Sequence, residues 1–178
     1  MLITADLSIP FPRSLVYSTY RDKLVELVDY LPNVRSVEVK SRREENERIY
    51  CVNCWRGGGR IPLAVRAVLG KAMLSWTEYD TWDESNYTLE WRIETHAFTE
   101  AVFCAGKNYF IEDNSNTIIE TRGEFKIAPE QLEGWPQSLK VQIATQVENF
   151  LGKKIVPNLI QMSAGVHNYL EQRTTTRN

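Results

Sequence analysis

Polar and apolar residues alternate along much of this chain, and the first alternating stretch lies at the N-terminus. Over residues 1–9 nearly every second side chain is apolar, which predicts a half-buried β-strand. Prolines at positions 10 and 12 end that strand, and over residues 13–31 the apolar residues recur at helical spacing. This spacing predicts two short helices with a break near Arg21 and Asp22, closed by Pro32.

Six further stretches have the composition and alternation of β-strands. Polar turn sequences separate three pairs of them, so we predict three hairpins with turns at 44–47, 83–86 and 113–116. One connection is long, and it begins with three glycines and continues with apolar residues over 57–70. The six predicted strands are 34–43, 48–56, 71–82, 87–96, 101–112 and 117–127.

The C-terminal stretch has the periodicity of a helix. Over residues 136–172 apolar residues recur every three or four positions, which places them on one stripe of an α-helix. Pro136 suits the first helical position, and Pro157 predicts a bend in the turn before it because proline donates no backbone hydrogen bond. We expect a single domain over residues 1–172, followed by a disordered, threonine-rich tail over 173–178.

Composition and charge narrow the class of protein. A formal net charge of -2, with basic residues scattered among acidic ones, argues against nucleic acid as a partner. The sequence contains no apolar run of about 20 residues, the length that spans a bilayer, and its first residues do not resemble a secretion signal. We therefore expect a cytoplasmic protein without a transmembrane segment, although transient contact with a membrane stays compatible with it.

The three cysteines do not suggest a disulfide framework, because their number is odd. Cys51 and Cys54 have the spacing of a redox or metal motif, but they fall in a predicted strand. Side chains three residues apart in a strand point to opposite faces. We therefore predict no metal site and no cofactor.

The predicted order of elements is one strand, two short helices, six antiparallel strands and a long C-terminal helix. Local sequence supports this order at the proline-bounded start of the first helix and in three further stretches. These are Tyr30-Leu31-Pro32-Asn33-Val34, Trp76-Thr77-Glu78 and Trp82-Asp83. In these features nearly the whole chain resembles the START-like (SRPBCC) superfamily, which includes polyketide cyclases, coenzyme-Q-binding proteins, pollen-allergen proteins and lipid-transfer domains.

The resemblance implies an α+β helix-grip fold. In that fold a strongly curved, seven-stranded antiparallel sheet wraps around a long C-terminal helix, and two short helices follow the first strand. The cavity between sheet and helix commonly holds an apolar ligand. A nuclear-transport-factor-like cone is the alternative fold, and the C-terminal position of the long helix argues against it.

The predicted turns also set the register of the strands, and the register decides which side chains meet. It places Trp91 opposite Glu78 on one side and opposite Gly106 on the other, and it places Gly106 opposite Gly123. The residues facing the helix in this register include Trp76, as well as Asn108, Phe110, Thr121 and Phe125.

In the first hairpin the predicted turn determines which side chains face the inside of the fold. It pairs Val39 with Val52 and turns Tyr50 inward. Trp55 then faces outward, where it either contacts a protein partner or is covered by Ile61 or Leu63.

Two interpretations of the paired glycines stay open. Trp91 fills the space that the missing side chains leave, or the space is a hollow that binds a small molecule. For the second interpretation we predict ligand contacts at Trp76, Glu78, Trp91, Gly106, Asn108, Phe110, Thr121, Gly123, Phe125, Met162 and Val166. Two interpretations of the long connection also stay open. It is a surface loop with solvated arginines, or it is a gate over the cavity mouth to which Gly58, Arg60, Ile61 and Leu63 contribute.

Three functions are compatible with this sequence. The first is non-enzymatic binding or transfer of an apolar or amphipathic small molecule, such as a lipid, isoprenoid, quinone or polyketide-like compound. The second is a cyclase-type enzyme, which predicts Glu78 inside the cavity with a raised pKa and a polar neighbour. The third is a protein-interaction module with a filled cavity. We assign no catalytic residue, and the sequence leaves the ligand, any reaction and the oligomeric state open.

Overall fold

The computed structural model of the chain describes residues 1–58, 75–96, 99–132, 134 and 136–175. Within the C-terminal helix, the side chains described are those of residues 137–146, 148, 149, 157 and 161–175. The strands are β1 (Leu2–Ile9), β2 (Val34–Glu45), β3 (Arg48–Gly57), β4 (Ser75–Asp83), β5 (Thr88–Thr95), β6 (Val102–Asp113) and β7 (Asn116–Ile127). The α-helices are α1 (Arg13–Asp22), α2 (Leu24–Leu27) and α3 (Gln137–Thr175), with short 3-10 helices at Val28–Tyr30, Thr99–Ala101 and Pro129–Gln131.

All seven described strands form one antiparallel sheet in the order β1-β7-β6-β5-β4-β3-β2. The N-terminal strand therefore pairs with the last strand, and every other neighbour in the sheet is also a neighbour in sequence. A curved sheet of this order with a C-terminal helix is the predicted helix-grip fold, which is confirmed.

The two helices after β1 cover part of the inner face of the sheet, the face that also meets α3. α1 buries Val16, Tyr17, Thr19 and Tyr20, which recur at the spacing of one helical face. The helix ends where the backbone N–H of Lys23 bonds to the carbonyl of Thr19. The predicted pair of short helices is confirmed, and the break lies at Lys23.

The C-terminal helix continues through Pro157 and ends at Thr175, so residues 173–175 are helical where the sequence suggested the start of a tail. Its described contacts with the sheet are mainly to β1 and β7. Two hydrogen bonds tie its C-terminal half to the segment before β2. Asn33 Nδ2 donates to Gln161 Oε1 at 3.0 Å, and Tyr30 Oη donates to Gln172 Oε1 at 2.7 Å.

The predicted register is confirmed on both sides of β6. Trp91 pairs with Gly106, and Gly106 pairs with Gly123. Asn108 likewise pairs with Leu89 on β5 and with Thr121 on β7, as predicted. The pairing of β6 with β7 follows from the predicted turn at 113–116, where Asp113 pairs with Asn116.

The predicted register between β4 and β5 is wrong by two residues. Trp91 pairs with Asp80 and not with Glu78, because Asp83 pairs with Thr88 and the loop is therefore 84–87, one residue later than the predicted 83–86. Tyr87, in that loop, has a positive φ of 51°. A shift of two residues keeps each side chain on its face, so the inward orientation predicted for Glu78 survives the error.

The predicted orientation of β3 is wrong. The turn is tighter than predicted, since Glu45 pairs with Arg48 across Asn46 and Glu47, which both have positive φ. A bulge between Val39 and Ser41 then shifts the register by one residue. A shift of one residue exchanges the two faces of a strand. As a result Ile49, Cys51, Asn53 and Trp55 are buried, not exposed.

Two further expectations concern the cysteines and the membrane. Cys51 is buried while Cys54 is only partly buried on the opposite face, so the predicted separation of their side chains is confirmed. Among the described residues, no helix combines the length and apolar character needed to cross a bilayer.

Candidate functional site

Strands β3 and β4 place five polar or aromatic side chains together on the inner face. Alternation on β4 turns Trp76, Glu78 and Asp80 inward, and the bulged register of β2 and β3 brings Asn53 and Trp55 beside them. Asn53 pairs with Glu78, and Trp55 pairs with Trp76 across the two strands. We call these five residues the carboxyl cluster.

Glu78 is the accessible acid of the carboxyl cluster. Its side chain keeps some accessible surface, and one carboxylate oxygen accepts a hydrogen bond of 2.6 Å from the indole Nε1 of Trp55. Burial raises the pKa of Glu78 from 4.5 to about 7, although the hydrogen bond from Trp55 opposes the shift. Near neutral pH this carboxyl group therefore both accepts and releases a proton.

Asp80 lies deeper in the same cluster. It is 6% exposed, and its Oδ2 accepts a hydrogen bond of 2.8 Å from Asn53 Nδ2. Burial, followed by the charge of Glu78, raises the pKa of Asp80 well above its ordinary value. The Oδ1 atoms of Asp80 and Asn53 are both buried, and neither has a hydrogen-bond partner in the part of the chain that the structure describes. A buried acceptor without a hydrogen bond lowers the stability of the fold, and the pair of Asp80 and Asn53 has hydrogen-bonding capacity that its neighbours do not fill.

Other elements surround the two carboxyl groups with groups that stay neutral. The phenol of Tyr20 on α1 has a raised pKa, chiefly because of its burial and also because of nearby Glu78 and Asp80. Burial likewise raises the pKa of Cys104 on β6 to about 12, with a smaller contribution from Glu78. Of this set, Glu78 is thus the group whose pKa lies near neutral pH.

Trp91 occupies the space above the paired glycines. A Cβ atom added to Gly123 would lie 2.9 Å from the Cη2 atom of Trp91, and one added to Gly106 would be closer still to the same ring. The indole Nε1 of Trp91 donates a hydrogen bond of 3.0 Å to Asn108 Oδ1. Of the two interpretations left open, the structure favours the one in which Trp91 fills this space.

The remaining predicted contacts separate into two other regions. Phe110 belongs to an aromatic cluster with Tyr17, Tyr20 and Trp82, in which most rings meet edge to face at 5.0–5.7 Å. A second group is fully or almost fully buried in the core and consists of Thr121, Phe125, Met162 and Val166. The carboxyl cluster thus contains only Trp76 and Glu78 of the predicted ligand contacts.

The predicted gate lies mostly outside the described residues. This applies to Arg60, Ile61 and Leu63. Gly58 is described, and its backbone N–H donates to the carbonyl of Asn33 at 2.7 Å. β3 ends at Gly57 and β4 begins at Ser75, at the end of the sheet where Trp76 lies.

Sequence reasoning missed three members of the carboxyl cluster. Asp80 lies two residues after Glu78 on β4. The alternation of Trp76, Glu78, Asp80 and Trp82 therefore already indicated that Asp80 faces inward. Asn53 and Trp55 were assigned to the outer face, and the bulge that reverses them leaves no clear mark in the sequence.

A shallow depression of about 420 Å³ lies on the outer face of β4, β5 and β6. Its two basic side chains are already paired with carboxylates. Lys107 bonds to Glu90 at 2.8 Å, and Arg92 lies 3.3 Å from Glu94 and over the ring of Tyr79. We therefore assign the candidate site to the inner face.

No protein-family model and no curated protein matches the chain. Solved structures do match. The Zhui aromatase/cyclase from Streptomyces sp. R1128 superposes with a TM-score of 0.67 at 15% identity, covering 98% of this chain and 95% of that chain. The chain therefore has the helix-grip fold that these structures share.

Two other structures support the same fold. A protein from Thermus thermophilus has a TM-score of 0.64 at 19% identity, with 93% of this chain and 97% of that chain covered. A norcoclaurine synthase point mutant from Thalictrum flavum, in complex with a transition-state analogue, has a TM-score of 0.60 at 12% identity, with 98% and 96% covered. At these identities the likeness establishes the fold.

Proposed function

We propose that this chain binds an apolar or amphipathic small molecule on the inner face of the sheet, with the carboxyl cluster as its polar contact. The observation that carries the proposal is the position of Glu78, a partly accessible carboxyl group inside the fold. A buried carboxyl group lowers stability unless something compensates it, and such groups concentrate at functional sites. Apolar walls with a few polar groups are typical of small-molecule sites.

The apolar walls next to Glu78 are two indole rings. Trp55 and Trp76 lie nearly parallel, with 8° between their planes and 6.0 Å between their centroids. Trp55 is buried, while Trp76 is only partly buried and packs at the edge of the core. A ligand that covers the exposed part of Trp76 would thus place its polar group near Glu78.

A neutral apolar dye tests this proposal. We expect saturable binding of Nile red, with one molecule bound per chain, and a weaker affinity in Trp76→Ala, since this variant removes the accessible indole. Phe103→Ala is the matched control, because Phe103 is an aromatic residue of the outer face that is 49% exposed. Equal affinities in both variants and the wild type would contradict the proposed site.

A second function, acid–base catalysis on the bound ligand, is favoured by one observation. The pKa of Glu78 near 7 is in the range that suits a general acid or base at neutral pH. The aromatase/cyclase and the norcoclaurine synthase that share the fold are enzymes, which supports this alternative by analogy only.

Native mass spectrometry separates the carrier from the enzyme. Protein purified from its source would be measured intact, and any bound compound would be extracted and returned to fresh protein. A compound recovered unchanged supports the carrier. A product that forms with the wild type and not with Glu78→Gln supports the enzyme, and an equal rate in both proteins would exclude Glu78 as the catalyst.

The third alternative, a protein-interaction module, relied on an exposed Trp55 as a contact for the partner. Trp55 is 5% exposed and bonded to Glu78, so it is not a surface contact for a partner.

A further inference from the structure

The carboxyl cluster is rich in hydrogen-bond acceptors, and this composition restricts the ligand. The described neighbours supply one indole N–H to Glu78 and one amide N–H to Asp80. Two carboxyl groups offer more acceptor positions than these two donors fill. A ligand that completes the cluster would therefore bring donors of its own.

Two buried oxygen atoms lead to the same conclusion, and this argument does not depend on how many acidic residues the cluster contains. Among the described residues, Asp80 Oδ1 and Asn53 Oδ1 have no hydrogen-bond partner, and the two residues are only 6% and 2% exposed. When Asp80 is ionised, both atoms are acceptors on residues that face inward near Glu78. A donor inside the fold would satisfy groups that otherwise lower stability.

The aromatic walls favour a donor that carries positive charge. A cation over the face of an indole is attracted by the ring's electron density, most strongly for tryptophan. The stacked pair of Trp55 and Trp76 provides such faces directly beside the Glu78 carboxyl group. A protonated amine would thus meet a carboxylate and an indole at the same place.

We infer that the small molecule bound on the inner face carries a basic nitrogen, which binds as an ammonium group against Glu78 and donates toward Asp80 and Asn53. This inference rests on the proposed function and names its ligand class as apolar amines. A neutral ligand with a carbonyl group is the competing class, because it would bind the protonated acids and accept their hydrogen bonds.

Three matched probes distinguish these classes, namely naphthylethylamine, naphthylethanol and naphthylacetate. They share an apolar ring and differ in the polar group. We expect the amine to bind more tightly than the alcohol by about tenfold or more, as for a hydrogen bond to a charged group, and the carboxylate to bind most weakly. In Glu78→Gln the preference for the amine over the alcohol should fall to about threefold or less.

Glu90→Gln is the matched control variant. Glu90 lies on the outer face of β5, where it is 62% exposed and paired with Lys107. The preference for the amine should be the same in this variant as in the wild type. Glu78→Gln replaces a buried acid by a neutral group of the same shape, so we expect it to fold, and Asp80→Asn provides a second variant with a smaller loss of preference.

The sign of proton linkage gives an additional readout. Among the described residues, the titratable groups facing Glu78 are Asp80 on β4, Tyr20 on α1 and Cys104 on β6. Of the two carboxyl groups, Glu78 has a pKa of about 7, and burial raises the pKa of Asp80 above its ordinary value. An ammonium ligand favours their ionised forms, so its affinity should rise between about pH 5 and pH 8 and binding should release protons. A carbonyl ligand would take up protons and lose affinity over the same interval.

The outcomes separate failure of the inference from failure of the proposed function. If the alcohol binds as tightly as the amine, or proton uptake accompanies amine binding, the inference is wrong and the proposed function stands. If none of the three probes binds saturably to the wild type, the proposed function fails as well.

Discussion

Strand β4 carries two regions of opposite character on the same face. At one end Trp82 is 2% exposed and packs in the aromatic cluster with Tyr17, Tyr20 and Phe110. At the other end Glu78 is partly accessible, and Asp80 nearby keeps one oxygen that no described residue bonds. One strand thus passes from a closed core into a region whose polar groups are not all paired.

The two regions differ in how completely their side chains are packed and hydrogen-bonded by one another. In the aromatic cluster, the rings pack edge to face against one another. Tyr17 Oη also donates a hydrogen bond of 3.3 Å to the backbone carbonyl of Thr88. Such packing contributes to stability through buried area and ring geometry. In the carboxyl cluster, burial instead destabilises the charged forms of Glu78 and Asp80. We interpret the first region as structural and the second as functional.

The largest effect is expected from emptying the aromatic cluster. Trp82→Ala should lower the free energy of unfolding by about 3–5 kcal/mol, because it leaves a cavity among rings that are fully packed. Urea denaturation followed by far-UV circular dichroism measures this loss.

Trp76→Ala is the matched variant at the other end of β4. Trp76 is only partly buried, so we expect a loss of about 1 kcal/mol, close to the average for point mutations. Equal losses in the two variants would contradict the division of β4 into a structural and a functional end.

The next effect concerns the dependence of stability on pH. Glu78 has a pKa of about 7 in the folded state and an ordinary value near 4.5. Between these values the folded protein holds a proton that the unfolded chain has lost, so stability falls as pH rises. The loss should reach up to about 3 kcal/mol by about pH 7.

Glu78→Gln should reduce this loss, because its side chain stays neutral at every pH. Some slope should persist, since the pKa of Asp80 is raised in the same direction. Urea denaturation between about pH 5 and pH 8 measures the slopes, and Glu90→Gln should keep the slope of the wild type. A Glu78→Gln slope as steep as the wild type's would place the titrating group elsewhere.

The third effect concerns Trp91, which lies between the two regions. A Cβ atom on Gly106 would lie 2.5 Å from the carbonyl oxygen of Arg122 and closer still to the ring of Trp91. Gly106→Ala should therefore cost about 1–3 kcal/mol through overpacking, measured as a shift of the urea midpoint at an unchanged slope.

Gly165→Ala is the matched control for this overpacking. Its added Cβ atom would lie 3.3 Å from Cδ2 of Leu31, a flexible side chain that is able to move, and alanine favours the helix. We expect a change within about 1 kcal/mol. A loss in Gly165→Ala as large as that in Gly106→Ala would show that the contact with Trp91 and the β7 backbone is not decisive.

The sequence predicted the fold and part of the site. Alternation and turn signals were sufficient for the pairing of Gly106 with Gly123 and for the inward orientation of Glu78. Asp80 was available from the same alternation and was overlooked. Trp55 was placed on the wrong face, because the bulge at Val39 to Ser41 is a response of the backbone to its neighbours and not a local sequence signal.

The amino-acid sequence by itself determined the order of elements, the faces of β4 to β7 and the presence of an acid on an apolar face. These features depend on side-chain periodicity, which is a local property. Only the tertiary structure decided that Trp91 fills the space above the glycines, that Trp55 bonds to Glu78, and that Asn53 shares a hydrogen bond with Asp80. Each of these contacts joins side chains on different strands, and a one-residue change in register would remove it.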